Sequence, residues 1–249
     1  MRLRVLGSNG PYPTPGHPCS GYLVEAGGTR VMLDAGPGTT AALQEAVPDC
    51  HLDALVVTHA HPDHCSDVFH LFNLYRFGPF PRSGLPALAP EGVASALAAF
   101  VGAGDGHAFH RVFAWQTVGP GNTVTVGSLD LAFASTQHQV PALAVSAAAD
   151  GRRMVYSADT GPGGGLPALA AGADLLLCEA TLPGGTSEAN WPYHLTPEQA
   201  GAIAREAGVG RLLLTHPGPM LDLAQSAAAA AAAFGGPVDW AAPGMEVVV

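Results

Sequence analysis

The sequence predicts a layered α/β fold built as one domain over residues 1–249, and three observations carry that prediction. Short apolar runs recur along the chain, each closed by a glycine or proline turn. Segments of helical character are interposed between them, which is the alternation of a mixed sheet covered by helices. Hydrophobic residues make up 48% of the chain, ample for a sizeable core at this length. The length suits one large α/β domain or two small ones, and no linker or composition shift divides the chain.

Taken in order, residues 3–6, 22–25 and 30–33 read as strands of one sheet. Asp34 ends the third run, residues 39–47 predict a helix, and the apolar run Ala54-Leu55-Val56-Val57 predicts the next strand. Five aromatics follow, Phe69, Phe72, Tyr75, Phe77 and Phe80. The helical spacing of Phe69 and Phe72 favours core packing, and a wall on which a ring stacks is the other reading. Residues 90–101 predict a helix and residues 102–110 a glycine-rich loop. His107 and His110 in that loop, with His17, His51 and His70, read as surface histidines.

From Asn122 the pattern turns to strands: residues 123–126 and 129–134, joined by Gly127-Ser128, lead to His138. A second hairpin, residues 142–148 and 152–156, turns at Asp150-Gly151 and is followed by Asp159. Residues 174–178 form a buried-looking strand that ends on Glu179-Ala180-Thr181. Thr196-Pro197-Glu198-Gln199 starts a helix, with Thr as cap, Pro at the first helical position and Gln three residues after the cap. Residues 211–214 are a further strand, ending on Thr215-His216-Pro217, and residues 246–249 a closing one. The Ala-rich tract 227–234 is helical in pattern and too short to span a bilayer.

Composition narrows the function classes. Acidic residues outnumber basic ones 20 to 10, every basic side chain is Arg, and Arg152-Arg153 is the only adjacent pair. Tight nucleic-acid binding draws on a basic stripe that neutralises several phosphates together, and none is visible, so nucleic acid is not the favoured partner. The N-terminus moves straight into a strand-like pattern without the apolar core of a signal peptide. Cys19, Cys50, Cys65 and Cys178 show no CxxC spacing. A soluble protein of the reducing cytoplasm, with no membrane partner, is the expectation.

The chemistry concentrates in Thr58-His59-Ala60-His61-Pro62-Asp63-His64-Cys65, which packs three imidazoles and a carboxylate into six residues after a buried strand. His59 and His61, two apart on an extended loop, can reach one ion. Pro62 suits the first position of a helix and places Asp63 and His64 in its opening turn, aimed elsewhere. One segment can thus serve two metals; a histidine-rich surface loop is the plainer reading. Cys65 reads as packed or as lying beside the metal ligands. The same arrangement recurs at Asp34, His59, Asp159, Glu179 and His216, where an apolar strand ends in a metal-binding or proton-shuttling residue and a Gly or Pro turn follows. Strands side by side in packed sheets bring such ends to one edge.

These motifs resemble the metallo-β-lactamase superfamily, whose HxHxDH hallmark stands here as His59-x-His61-x-Asp63-His64. The later motifs Tyr156-Ser157-Ala158-Asp159-Thr160, Cys178-Glu179-Ala180-Thr181, Tyr193-His194-Leu195-Thr196 and Leu214-Thr215-His216 resemble its ribonuclease Z-like phosphodiesterase branch. The resemblance implies an α/β (α+β) fold of four layers, an αββα sandwich with the metals at the sheet edges. It implies one zinc on His59, His61 and His138, another on Asp63, His64 and His216, and Asp159 bridging. Donors of nitrogen and oxygen without thiolate suit two Zn²⁺, with Mn²⁺, Fe²⁺ or Co²⁺ as alternatives.

By the same resemblance Asp63 orients and deprotonates the attacking water, His194 stabilises the developing charge or protonates the leaving oxygen, Glu179 holds the His194 ring, and Asp34 organises the loops. Two divalent ions offset by two aspartates and a shared hydroxide leave about one positive charge, matched to a phosphodiester monoanion. The tRNA-processing members carry a basic arm between the motifs that here hold His138 and Asp159, and this chain has only 20 residues there. A phosphodiesterase for small substrates such as cyclic nucleotides is therefore preferred, with Arg76 and the nearby aromatics as a grip on phosphate and base. The alternatives are a tRNA 3′-processing endonuclease, a lactonase or other ester hydrolase, and a non-catalytic binding module. A homodimer is expected from the relatives' habit.

Overall fold

The computed structural model describes residues 1–102 and 104–249; residue 103, inside the glycine-rich loop of the sequence reading, lies outside the described residues. Its first sheet draws on β1 (Arg2–Gly7), β2 (Gly21–Ala26), β3 (Thr29–Leu33), β4 (Ala54–Val56), β5 (Leu85–Ala89) and β6 (Phe113–Thr117). The helices among them are α1 (Thr39–Ala46), α2 (Pro62–Cys65), α3 (Val68–Phe77), α4 (Val93–Val101) and α5 (Gly106–Val112). The second sheet draws on β7 (Thr123–Val126), β8 (Leu129–Ser135), β9 (Leu143–Ala149), β10 (Arg152–Tyr156), β11 (Leu175–Glu179), β12 (Leu212–Thr215) and β13 (Val238–Trp240), with α6 (Leu166–Ala170), α7 (Pro197–Glu206) and α8 (Leu223–Phe234). The last strand, β14 (Glu246–Val248), returns to the first sheet and pairs with β1.

The two sheets repeat one plan. The first runs β14-β1-β2-β3-β4-β5-β6 and the second β7-β8-β9-β10-β11-β12-β13, each with three antiparallel steps followed by three parallel ones. Thus β3 corresponds to β10, β4 to β11 and β5 to β12. Side chains alternate across each strand, so Tyr22, Val24, Val31 and Leu33 meet Leu131, Phe133, Val145 and Tyr156 between the sheets. Leu23, Met32 and Leu55 turn outward under α1, α3, α4 and α5, while Val155, Leu176 and Leu214 lie under α6, α7 and α8. Three cores separate four layers, which is the αββα sandwich. Strands buried on both faces read as continuous apolar runs rather than alternating ones, as in Leu175-Leu176-Leu177 and Leu212-Leu213-Leu214.

Two local expectations, the loop at 102–110 and a free Arg76, are corrected, while the core packing of the aromatics holds for Phe72 and Tyr75. The glycine-rich loop holds α5 from Gly106 onward, so His107 and His110 sit on a helix, both exposed. Phe72 and Tyr75 are buried in the core beneath the first sheet, and the Tyr75 hydroxyl donates to the Cys50 carbonyl at 2.8 Å. Arg76 is not free to grip a phosphate: it pairs with Asp105 at 2.6 Å and lies over the Phe77 ring. Among the described residues no helix is long and apolar enough to cross a membrane.

Candidate metal centre

The site forms where strand ends from both sheets converge. The β4 strand delivers His59, His61 and α2, whose first residue Pro62 sets Asp63 and His64 in its opening turn. From the second sheet come His138 after β8, Asp159 after β10, Glu179 at the end of β11 and His216 after β12. Asp34 and His216 leave their strands with φ of 58° and 56°, a left-handed turn that swings each side chain back toward the edge.

His59, His61, His138 and Asp159 present ligand atoms within 4.8 Å of one another, and Asp63, His64 and His216 do the same. The Asp159 carboxylate lies between the groups. Its Oδ1 is 3.1 Å from His64 Nε2 and 3.7 Å from His216 Nε2, whereas Oδ2 is 3.7 Å from His59 Nε2 and 3.8 Å from His138 Nε2. One oxygen thus faces each cluster. His61 Nδ1 and His138 Nε2 are 3.0 Å apart, close to the roughly 3.3 Å that two nitrogens about 2.0–2.1 Å from one tetrahedral ion would keep.

The atoms that point inward lack partners. His59 Nε2, His64 Nε2 and Asp159 Oδ1 are buried with no hydrogen-bond partner, an arrangement costly unless a cation completes it. Their other atoms are fixed from behind. Asp34 accepts the Thr58 amide at 2.7 Å, the Thr58 hydroxyl at 2.9 Å, His64 Nδ1 at 2.8 Å and the Tyr156 hydroxyl at 3.0 Å. With its proton given to Asp34, the Thr58 hydroxyl accepts from His59 Nδ1 at 3.0 Å, which leaves the lone pair of Nε2 facing inward. His138 Nδ1 donates to the Tyr193 carbonyl at 3.1 Å to the same effect.

Glu179 plays on the second sheet the part that Asp34 plays on the first. It accepts His194 Nδ1 at 2.9 Å, the Thr160 amide at 2.8 Å and the Thr181 hydroxyl at 2.7 Å. His194 joins Asp159 and His216 in a third group of donors within 4.8 Å, its ring stacked on that of His216 at 6.0 Å.

Electrostatics separates these imidazoles. Burial pushes His59, His61 and His138 below their ordinary range, so they stand neutral, as ligands must. Burial acts against charge on His64 and His216 too, but Asp159 with Asp34 or Asp63 holds both above the usual value. For His194 burial is outweighed by the Glu179 carboxylate, which lifts it to about 9. Asp159, despite its burial, is held far below the carboxylate range by His216 and His64.

All nine side chains singled out in the sequence for metal binding or catalysis therefore meet at one sheet edge, and Asp34 stands behind them. Cys65 is packed in the first outer core, where burial pushes its thiol up to about 12. The sequence reading gave no role to Thr58, Thr181 or the Tyr193 carbonyl. It also passed over Gly10, where a Cβ would sit 2.4 Å from the His216 ring; the signal was a glycine in the turn that follows β1.

A family model described as "Beta-lactamase superfamily domain" matches residues 29–217. Probable metallo-hydrolase YhfI of Bacillus subtilis is 31% identical, over 87% of this chain and 86% of its own. A ribonuclease Z of Mycolicibacterium paratuberculosis is 30% identical, over 96% of this chain and 95% of its own. The crystal structure of the metallo-beta-lactamase fold protein YhfI from Bacillus subtilis superposes with a TM-score of 0.88 at 25% identity, covering 99% of each chain.

Proposed function

The chain belongs to the beta-lactamase superfamily, as a metallo-hydrolase with ribonuclease Z-like relatives, and we propose that it is a dinuclear phosphodiesterase acting on small phosphodiesters such as cyclic nucleotides. The observation that carries this reading is the Glu179–His194 pair at 2.9 Å, set against Asp159 and His216 beside the two donor clusters. A charged imidazole fixed there is a proton donor for the alkoxide that leaves a phosphodiester.

His59, His61 and His138 would hold one divalent ion and Asp63, His64 and His216 the other, with Asp159 shared. Zn²⁺ suits these donors, and Mn²⁺, Fe²⁺ or Co²⁺ are the alternatives. When bound, the ions supply Lewis acidity and lower the pKa of water from about 15.7 towards about 7. Asp63 orients the attacking water and takes its proton. His194 gives its Nε2 proton to the departing oxygen while Glu179 holds Nδ1. The whole of residues 1–249 serves this one site as a single domain.

Small substrates are favoured by what surrounds the centre. Between His138 and Asp159 the chain spends its residues on β9, β10 and the turn at Asp150 and Gly151, leaving no arm. Its two arginines are occupied: Arg152 pairs with Asp174 at 2.7 Å, and Arg153 donates to the carbonyls of Leu169 and Ala171. A tRNA 3′-processing endonuclease is the second reading, favoured by the ribonuclease Z relative matched over 95% of its length. The four free, buried cysteines suit the cytoplasm, and a homodimer is the expected assembly.

Bis(p-nitrophenyl) phosphate, a cyclic nucleotide panel, a precursor tRNA and a lactone, assayed side by side with Zn²⁺ and Mn²⁺, test the proposal. Turnover of the small phosphodiesters at least about a hundredfold above the tRNA and the lactone is expected. Preferred cleavage of the tRNA or the lactone would replace the reading.

A further inference from the structure

A cavity of 680 Å³ opens beside the metal centre, walled by the segment from His138 to Leu143, the residues after β5 and the connection from β6 to β7. His138 belongs both to the cavity lining and to the centre. His138 reaches His61 at 3.0 Å on one side, and the Leu143 amide donates to the Thr58 carbonyl at 3.2 Å. Topology puts Glu91 at its rim, because Glu91 follows β5, the counterpart of β12, and the end of β12 delivers His216. Ligands of parallel sheets collect outside these carboxyl ends.

The lining says what would enter. Pro90, Pro120 and Pro141 with Val118 give rigid apolar walls. Glu91 is exposed and makes no ion pair or side-chain hydrogen bond among the described residues; besides His138 it is the only titratable group that lines the cavity. Asn122 accepts the Gly119 amide through Oδ1 at 2.8 Å, so its amino group remains to donate. With no arginine in the wall, a second phosphate would meet only negative charge. A neutral ring with polar edges fits, and a carboxylate accepts from an exocyclic amino group such as N6 of adenine or N4 of cytosine. Uracil would instead turn carbonyl oxygens toward the same carboxylate.

We propose that this cavity is the base subsite of a nucleotide phosphodiester and that Glu91 selects bases bearing an exocyclic amino group. The assignment rests on the phosphodiesterase reading above. Glu91 also lies beside the N-terminus of α4, where negative charge favours the helix. The readout must be blind to that role.

The test is the ratio of kcat/KM for 3′,5′-cyclic AMP over 3′,5′-cyclic UMP, in which changes of folding or metal loading common to both substrates cancel. A hydrogen bond to a charged acceptor is worth about tenfold or more. The wild type is expected to favour cyclic AMP by at least about that factor, Glu91→Ala to bring the ratio near one, and Glu91→Lys to invert it. A wild-type ratio near one, or a ratio untouched by both substitutions, overturns the subsite. Turnover of bis(p-nitrophenyl) phosphate with neither cyclic nucleotide cleaved overturns the subsite alone. Failure to cleave any of the three overturns the phosphodiesterase reading, and the subsite with it.

Discussion

Thr181 stands 3.0 Å from Nδ1 of His216 with its single hydroxyl proton directed to the Glu179 carboxylate 2.7 Å away, so at the imidazole it accepts and cannot donate. That fixes the ring proton on Nδ1 and leaves Nε2 for a cation. Thr181→Val is expected to weaken metal binding about tenfold to a hundredfold. Thr181→Ser should restore it. Isothermal titration of the stripped protein with Zn²⁺ reads the affinity directly, and equal affinities for the valine variant and the wild type would deny Thr181 this role.

Removing the metal is expected to abolish hydrolysis and to lower stability together, because the inward atoms of His59, His64 and Asp159 are left without partners. An ion present at a hundred times its dissociation constant adds about 2.7 kcal/mol. Calorimetric melting before and after chelation measures the loss, and re-addition of Zn²⁺ should recover both activity and melting temperature. The variant His61→Ala should lose activity by about a thousandfold or more while keeping its fold.

The charge on His194 sets a pH dependence whose sign follows from Glu179. In the metal-free protein the pair holds the imidazole protonated up to about 9, above the ordinary value of 6.5. A group whose pKa is raised on folding contributes stability that is full below 6.5 and fades as pH climbs through about 9. Glu179→Gln should bring the His194 titration down, so the stability difference between variant and wild type narrows in alkali. Two-dimensional NMR of the His194 ring protons across pH 5 to 10 follows the shift. An unmoved titration would mean that Glu179 does not hold the charge.

Gly10→Ala is expected to displace His216, since the added Cβ would stand 2.4 Å from its ring. Overpacking of this kind costs about 1–3 kcal/mol. Activity should fall by at least about tenfold with the secondary structure unchanged by circular dichroism, and one of the two metal equivalents should bind more weakly.

Much of the site could be read from the chain because its residues sit at places the local pattern marks. Apolar runs announce β3, β4, β11 and β12, and each ends on Asp34, His59, Glu179 or His216, or one or two residues before it. The capping box of α7, with Thr196 and Gln199 in reciprocal contact, was equally plain. Other elements carry weak local signals. The strand β5 contains Pro86 and no β-branched residue, β13 is three residues long, and glycines before and at the start of α5 obscure it. The pairing of β14 with β1, Arg2 opposite Val248, depends on contacts that no window of sequence contains. So do the devices behind the ligands: only folding shows that Thr58 and Thr181 lend their oxygens to different imidazoles.

The ligands of each cluster come from both halves of the sandwich: His59 and His61 from the first sheet meet His138 from the second, and Asp63 and His64 meet His216. A cation held there works as a rivet through a seam. The coordination sphere can close only after the two halves have docked, so metal uptake would report the last step of assembly. Chelation would let the seam breathe, and amide hydrogen exchange would then quicken at Tyr156 and Leu177 in β10 and β11 ahead of the outer helices.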